Sequence, residues 1–224
     1  KGDILIDPQT GLPQYDKSNH VLGNASWDWT GGLLTNFTYK NVSLVAVFDV
    51  KVGADLYSMS ARAAHESGKS PETLVGRDAW YRSEEERLAA GIAKGADNWK
   101  PTGGFVAPGV IDNGDGTYRP NDIYINPEDY WMSVCRNAPS MFIYDNSYVK
   151  CRELTLSYNV PKSWLKNVIS GLTVSFVARN PFIVWKNIPN IDPDSNYNNT
   201  TGMGLEYGSL PSRRSYGFNV NVKF

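Results

Sequence analysis

Residues 213–224 read RRSYGFNVNVKF, and Tyr216, Phe218, Val220, Val222 and Phe224 alternate there with Gly217, Asn219, Asn221 and Lys223. A period of two marks a β-strand with one apolar and one polar face. Chain ends are ordinarily polar and frayed. Here the last residue belongs to the apolar set, which places the terminus itself in a sheet. What that apolar face meets decides the fold.

The same alternation recurs upstream. In GLTVSFVARN (171–180), Leu172, Val174, Phe176 and Ala178 face one way; in SYVKCRELTLSYNVP (147–161), Leu154, Leu156 and Tyr158 oppose Glu153, Thr155 and Ser157. WDWTGGLLTNFTYKNVSLVAVFDVKVG (27–53) alternates Trp27, Trp29, Gly31 and Leu33, breaks at Tyr39–Asn41, and resumes with Leu44, Ala46, Phe48 and Val50. The spacing predicts an all-β, antiparallel chain with strands near 28–38, 42–52, 147–159, 170–180 and 213–224.

The connections differ sharply in length. Short turns are expected near 39–41 and 160–169, and long loops over 53–146 and 181–212. Ordinary connections have a median of about 4–6 residues, so the 53–146 insertion points to function. It contains two expected short helices, within LYSMSARAAHESG and SEEERLAAGIAKG, the second with Glu84 to Glu86 in its first turn and Gly91 or Gly95 as its stop. Short turns at one end and long loops at the other are the habit of outer-membrane barrels, as are strands of about 9–11 residues. Five strands cannot close, and a bilayer tolerates no open edge, so a barrel reading makes this the C-terminal segment of a larger protein. Its large extracellular loops would carry the short helices.

Composition narrows the alternatives. Lys plus Arg (22) nearly balance Asp plus Glu (23), which leaves no basic field for nucleic acid. No apolar run approaches the roughly 18 residues of a membrane-spanning helix, whereas alternating strands never look hydrophobic on average. Cys135 and Cys151 are too few for a disulfide scaffold and read as free thiols.

Several long stretches then resemble one family: LGNASWDWTGGLLTNFTYKNVSL (22–44), DVKVGADLYS (49–58), IYDNSYVKCRELTLSYNVPKSWL (143–165), VARNPFIVWKNIPNIDPDSNYNN (177–199) and EYGSLPSRRSYGFNVNVKF (206–224). In that order they look like the C-terminal part of the SusC/RagA-type TonB-linked outer-membrane transporters. Departures are small: VGAD where GGD is usual, and Cys151 where the pattern has Leu. The resemblance implies a plugged barrel of about 22 strands in the outer membrane of a Gram-negative bacterium, with the C-terminus periplasmic. Implied partners are a SusD-like surface lipoprotein, the TonB complex through upstream segments, the barrel-assembly machinery, outer-membrane lipid, and a glycan or peptide cargo. Tyr216, Phe218, Val220, Val222 and Phe224 would form the assembly signal, captured by edge pairing before its apolar face meets lipid.

Chemistry of other kinds finds weak support. AAHESGKS (63–70) fits a loose phosphate-loop pattern, but a helix-like segment precedes it and Pro71 follows. DNGDGTY (112–118) lacks the sixth-position glycine and twelfth-position Glu of a calcium loop. Asp192 and Asp194 in NIDPDSNYNN could hold a cation or simply form turns. His20 and His65 sit in no ligand spacing, and no nucleophile elbow occurs. The sequons at Asn24, Asn36, Asn41, Asn198 and Asn199 suit chance in so Asn-rich a chain. No enzyme, metal or cofactor is expected. Trp80, Trp99, Tyr130 and Trp131, inside the long insertion, are the candidate substrate-binding residues, because apolar sugar faces and peptide side chains both rest on aromatic rings; the same residues could instead build the loop's own core. Tyr158 and Trp164 suit an interfacial girdle. A soluble β-rich carbohydrate-binding module is the alternative to the transporter, and a phosphate-loop nucleotide hydrolase is a third possibility.

Overall fold

The structure is a computed structural model that describes residues 2–165, 169–195, 200 and 202–224. The sequons at Asn198 and Asn199, and part of the expected 160–169 turn, lie outside the described residues. The chain forms two compact units: one of residues Lys1–Leu22 and Met59–Phe142, the other of Gly23–Ser58 and Ile143–Phe224.

In chain order, β1 (Trp29–Tyr39) and β2 (Val42–Val52) make a hairpin whose two-residue turn holds Lys40 at φ 54°. A left-handed turn residue matches the twist of the flanking strands. After β3 (Asp55–Ser58) come α1 (Met59–Glu66) and α2 (Arg77–Ala89). Gly91, at φ 70°, takes the left-handed conformation that ends α2, as expected for a glycine stop. Four short strands follow: β4 (Phe105–Val106), β5 (Val110–Asp112), β6 (Tyr118–Pro120) and β7 (Tyr124–Ile125), with β4 paired to β7 and β5 to β6.

The helix α3 (Pro127–Asn137) was not anticipated, although its start is explicit in the residues. The Asn126 side chain accepts a hydrogen bond from the Glu128 N–H, Pro127 occupies the first turn, and Glu128 and Asp129 meet the positive end of the helix dipole. One face of α3 buries Tyr130, Trp131, Val134 and Cys135, which with Phe142, Ile125 and Ile111 make the core of this unit.

The second unit is completed by β8 (Ile143–Asp145), β9 (Tyr148–Asn159), β10 (Gly171–Lys186), β11 (Leu205–Glu206) and β12 (Ser215–Lys223). Its main sheet has the order β1-β2-β9-β10-β12, every neighbouring pair antiparallel. A small sheet pairs β3 with β8 and β11. β10 continues through Pro181 to Lys186, beyond the strand end expected at 180. The ladder shifts between Arg179 and Phe182, where Asn180 lies at φ 47°. A bulge there accommodates a proline that cannot donate to the ladder, so the following loop begins after 186 and not at 181.

Candidate functional site

The register of the main sheet sorts its side chains by face. One row runs Phe37, Leu44, Leu156, Phe176, Phe218 across all five strands; the row beside it runs Tyr39, Val42, Tyr158, Val174, Val220. On the other face the corresponding row is Thr38, Ser43, Ser157, Ser175, Asn219. Its hydroxyls bond across strands, Ser157 to Ser175 at 2.8 Å and Thr38 to Ser43 at 3.3 Å. The apolar face is open: Phe37 is 68% exposed and Phe218 79%. Each large apolar side chain left in water forgoes roughly 1.5–3 kcal/mol of burial, so a surface continuous across five strands calls for a non-aqueous neighbour.

All nine residues of β12 are exposed. Its register on β10 matches Tyr216 to Ala178, Phe218 to Phe176, Val220 to Val174 and Val222 to Leu172. The terminus is held as the alternation predicted: Ser170 donates its N–H to Lys223 O at 2.7 Å and its hydroxyl to Phe224 O at 3.0 Å. The Phe224 side chain itself is 96% exposed. β1 and β12 are the two edges, each with backbone groups available for a further strand.

The polar face carries an ionic cluster. Lys150, on β9, is 1% exposed, and its ammonium donates to Asp192 Oδ1 at 3.1 Å, to Asp194 Oδ2 at 2.6 Å and to the Ser212 hydroxyl. Arg152 bridges Asp49 on β2 to Asp194, and the Tyr148 hydroxyl donates to Asp194 Oδ1 at 2.8 Å. A register shift between Val47 and Phe48 leaves Arg152 as the extra residue of β9, which brings the consecutive Arg152 and Glu153 to the same face. Asp192 also accepts the backbone N–H groups of Asp194 and Ser212. Burial raises the affinity of both loop carboxylates for a proton. The donated hydrogen bonds outweigh it, those of Ser212, Asp194 and Lys150 at Asp192 and of Arg152, Lys150 and Tyr148 at Asp194, and hold both below the usual range. The cation considered for Asp192 and Asp194 is thus the protein's own Lys150 and Arg152.

In the other unit, Tyr130 is 4% exposed and packs on Phe105 at 4.5 Å and edge-on to Trp131 at 5.1 Å. Trp131 is 8% exposed and meets the ring of His65 at 4.7 Å. Tyr130 is therefore core, the second of the two roles open to these aromatics. Trp80 and Trp131 line one cleft of about 230 Å³, where Arg77 and Glu128 also stand. Trp99 is half-buried and does not line that cleft.

The remaining motifs take ordinary structural roles. Residues 63–70 lie on α1 and the turn after it, where Ser70 bonds Glu72, and no strand leads into them as a phosphate loop requires. Asp112 and Asp115 cap the tip of the β5–β6 hairpin, accepting from the N–H groups of Gly114 and Thr117. Cys135 and Cys151 are free and buried, and burial followed by the charge of Glu66 pushes the Cys135 thiol up to about 11. Among the described residues no His, Cys, Asp or Glu cluster suits a metal. Also among them, no helix is long and apolar enough to cross a membrane, which leaves strand-borne spanning untouched.

No protein-family profile matches the chain. Over 95 residues the chain is 33% identical to TonB-dependent receptor P3 of Formosa agariphila, a match covering 40% of the chain and 10% of that receptor. Its fold is similar to solved structures titled the RagAB peptide transporter (TM-score 0.59, 18% identity) and the RagAB peptide importer in an open-open state (TM-score 0.58, 19% identity). Those superpositions use 100% of this chain and 22% of each solved chain. The mostly β, antiparallel architecture with few helices matches a C-terminal portion of a TonB-dependent β-barrel transporter. The chain thus spans about a fifth of the length of the transporters whose fold it shares.

Proposed function

From a chain that resembles the SusC/RagA-type TonB-dependent transporters in motif and in fold, we propose that it forms the C-terminal barrel strands and two large loops of an outer-membrane importer of oligomeric nutrients. The observation that carries this is the apolar face running uninterrupted across five antiparallel strands, opposite a polar, hydrogen-bonded face. That division is what a bilayer outside and a watery lumen inside demand of a barrel wall. Transport would be non-covalent: loops capture cargo beneath a SusD-like surface lipoprotein, and the TonB complex acts through the rest of the protein. The likeness in fold to the RagAB peptide importer supports this class of activity.

In this topology the short β1–β2 turn and the C-terminus face the periplasm, while residues 53–146 face outward. Protease added to intact cells should cleave within 53–146 and spare the turn at Lys40 and Asn41. Cleavage confined to that short turn would invert the topology. A soluble carbohydrate-binding module would leave the apolar face in water. Deleting the gene should abolish uptake of one oligomer while leaving its monomer usable; unchanged growth on every oligomer would refute the import reading.

A further inference from the structure

β12 begins at Ser215, opposite Arg179, so β10 runs on from Asn180 to Lys186 with no partner strand on that side. A cleft of about 610 Å³ lies along this stretch, at the end of the sheet away from the C-terminus, and Phe182, Lys186, Asn190, Asp192 and Arg214 help to line it. Asp192 is the one carboxylate among the described lining residues, and its oxygens are taken. Lys150, the Ser212 hydroxyl and the N–H groups of Asp194 and Ser212 all donate to it. Lys150, also in the lining, is in turn satisfied by Asp192, Asp194 and Ser212. Lys186 and Arg214 are placed differently. The half-buried Lys186 ammonium donates to Ile191 O at 2.6 Å, and the Asn180 amide donates to Arg213 O at 3.2 Å, which fixes the backbone that presents the exposed Arg214. Among the described residues the ion pairs of this unit start from Lys150, Arg152 and Arg179, and none includes Lys186 or Arg214. A half-buried cation without a counter-ion carries a desolvation cost that a bound anion offsets.

The position of the cleft narrows the anion. From Leu172 to Phe182, β10 advances about 33 Å, or about 25 Å of bilayer depth at a tilt of about 40°, which matches the apolar band of a barrel wall. On β12 the outward series Val222, Val220, Phe218, Tyr216 continues in step to Arg214. Apolar, then aromatic, then cationic is the order met on passing from hydrocarbon to headgroups. Two unpaired cations match a dianion, and a phosphate monoester carries about −1.5 to −2 at pH 7 with oxygens that suit both an ammonium and a guanidinium fork.

We propose that this cleft binds the phosphate monoester headgroup of an outer-leaflet lipid, with Arg214 and Lys186 on the phosphate oxygens and Phe182 beside the acyl chains. The proposal rests on the membrane-spanning sheet of the import reading. The test uses the full-length protein in a non-ionic detergent, titrated by calorimetry with dihexanoyl phosphatidic acid, dihexanoyl phosphatidylcholine and inorganic phosphate. Expected is binding of the phosphatidic acid at least tenfold tighter than of the other two, weakened tenfold or more by Arg214→Gln and by Lys186→Gln. Lys40→Gln, in the β1–β2 turn and outside the cleft, should bind as the parent does. Because Lys186 also holds Ile191, the exposed Arg214 supplies the variant that leaves the fold intact. Phosphatidylcholine binding equal to that of phosphatidic acid would overturn recognition of the charged headgroup. Inorganic phosphate binding as tightly as the lipid, with both lost in Arg214→Gln, would overturn the lipid assignment and leave a site for free phosphate. Phosphatidic acid binding indifferent to Arg214→Gln would overturn the site. Release of the full-length protein from cells without detergent would overturn the import reading itself, whatever the titrations give.

Discussion

Lys150 is the residue on which the polar face most depends. Its ammonium is buried and shared between Asp192 and Asp194, so removing it leaves Asp194 paired with Arg152 and, among the described residues, takes away the one ion-pair partner of Asp192. Breaking a buried ion pair from one side costs about 3–5 kcal/mol, much more than the pair itself contributes over an apolar substitute. Lys150→Met should therefore release residues 188–195, read as lost hydrogen-exchange protection there while β9 and β10 stay protected. Protection equal to the parent's would show the loop to be held by its backbone bonds alone. The pH dependence follows from the two loop carboxylates. Their folded-state pKa values lie below the unfolded value of about 3.9, so their stabilisation is complete above that value and is lost as pH falls through the depressed folded range. The loop should stay protected at pH 5 and loosen only well below pH 4. Loosening between pH 7 and 5 would contradict the cluster as drawn.

At the scale of elements, the five long strands were legible in the sequence because each alternates over enough residues to separate period two from chance. What escaped were features whose signals are non-local or too short. Two-residue strands such as β4 and β7 have no period to read. The Lys150 cluster joins residues 42 positions or more apart, and nothing in NIDPDS by itself distinguishes a clamp from a cation loop. Pro181 reads as a strand end unless the bulge at Asn180 is known. α3 was hidden by its own aromatics, although Asn126-Pro127-Glu128 is a helix start; of the two roles open to Tyr130, its burial on this helix favours the core. Two outcomes belong to this scale. Arg placed at Val174 or Phe176 should cost roughly 2–4 kcal/mol in a bilayer, against near-neutral substitution at Ser175; equal tolerance would refute the register. Deleting Phe224, whose ring touches little in the chain, should leave the melting temperature in detergent nearly unchanged yet sharply reduce surface levels in cells if, as proposed, this edge strand is captured before a barrel closes. Normal surface levels would reduce Phe224 to a packing residue.

At the scale of the whole molecule, the proposed location rests on the sheet's two faces: alternation sets the strands, register stacks like with like across them, and on the barrel reading the exposed apolar surface meets lipid. That is testable position by position. With Cys135 and Cys151 replaced by alanine, single cysteines introduced along β10 and β12 of the full-length protein in lipid bilayers can carry spin labels. Their accessibility to oxygen, which partitions into lipid, and to a water-soluble nickel chelate can then be compared. Labels at Leu172, Val174, Phe176, Phe218 and Val220 should be oxygen-accessible and shielded from nickel, and those at Thr173, Ser175, Asn219 and Asn221 the reverse, with a period of two. Uniform nickel accessibility along both strands would contradict the membrane-spanning sheet.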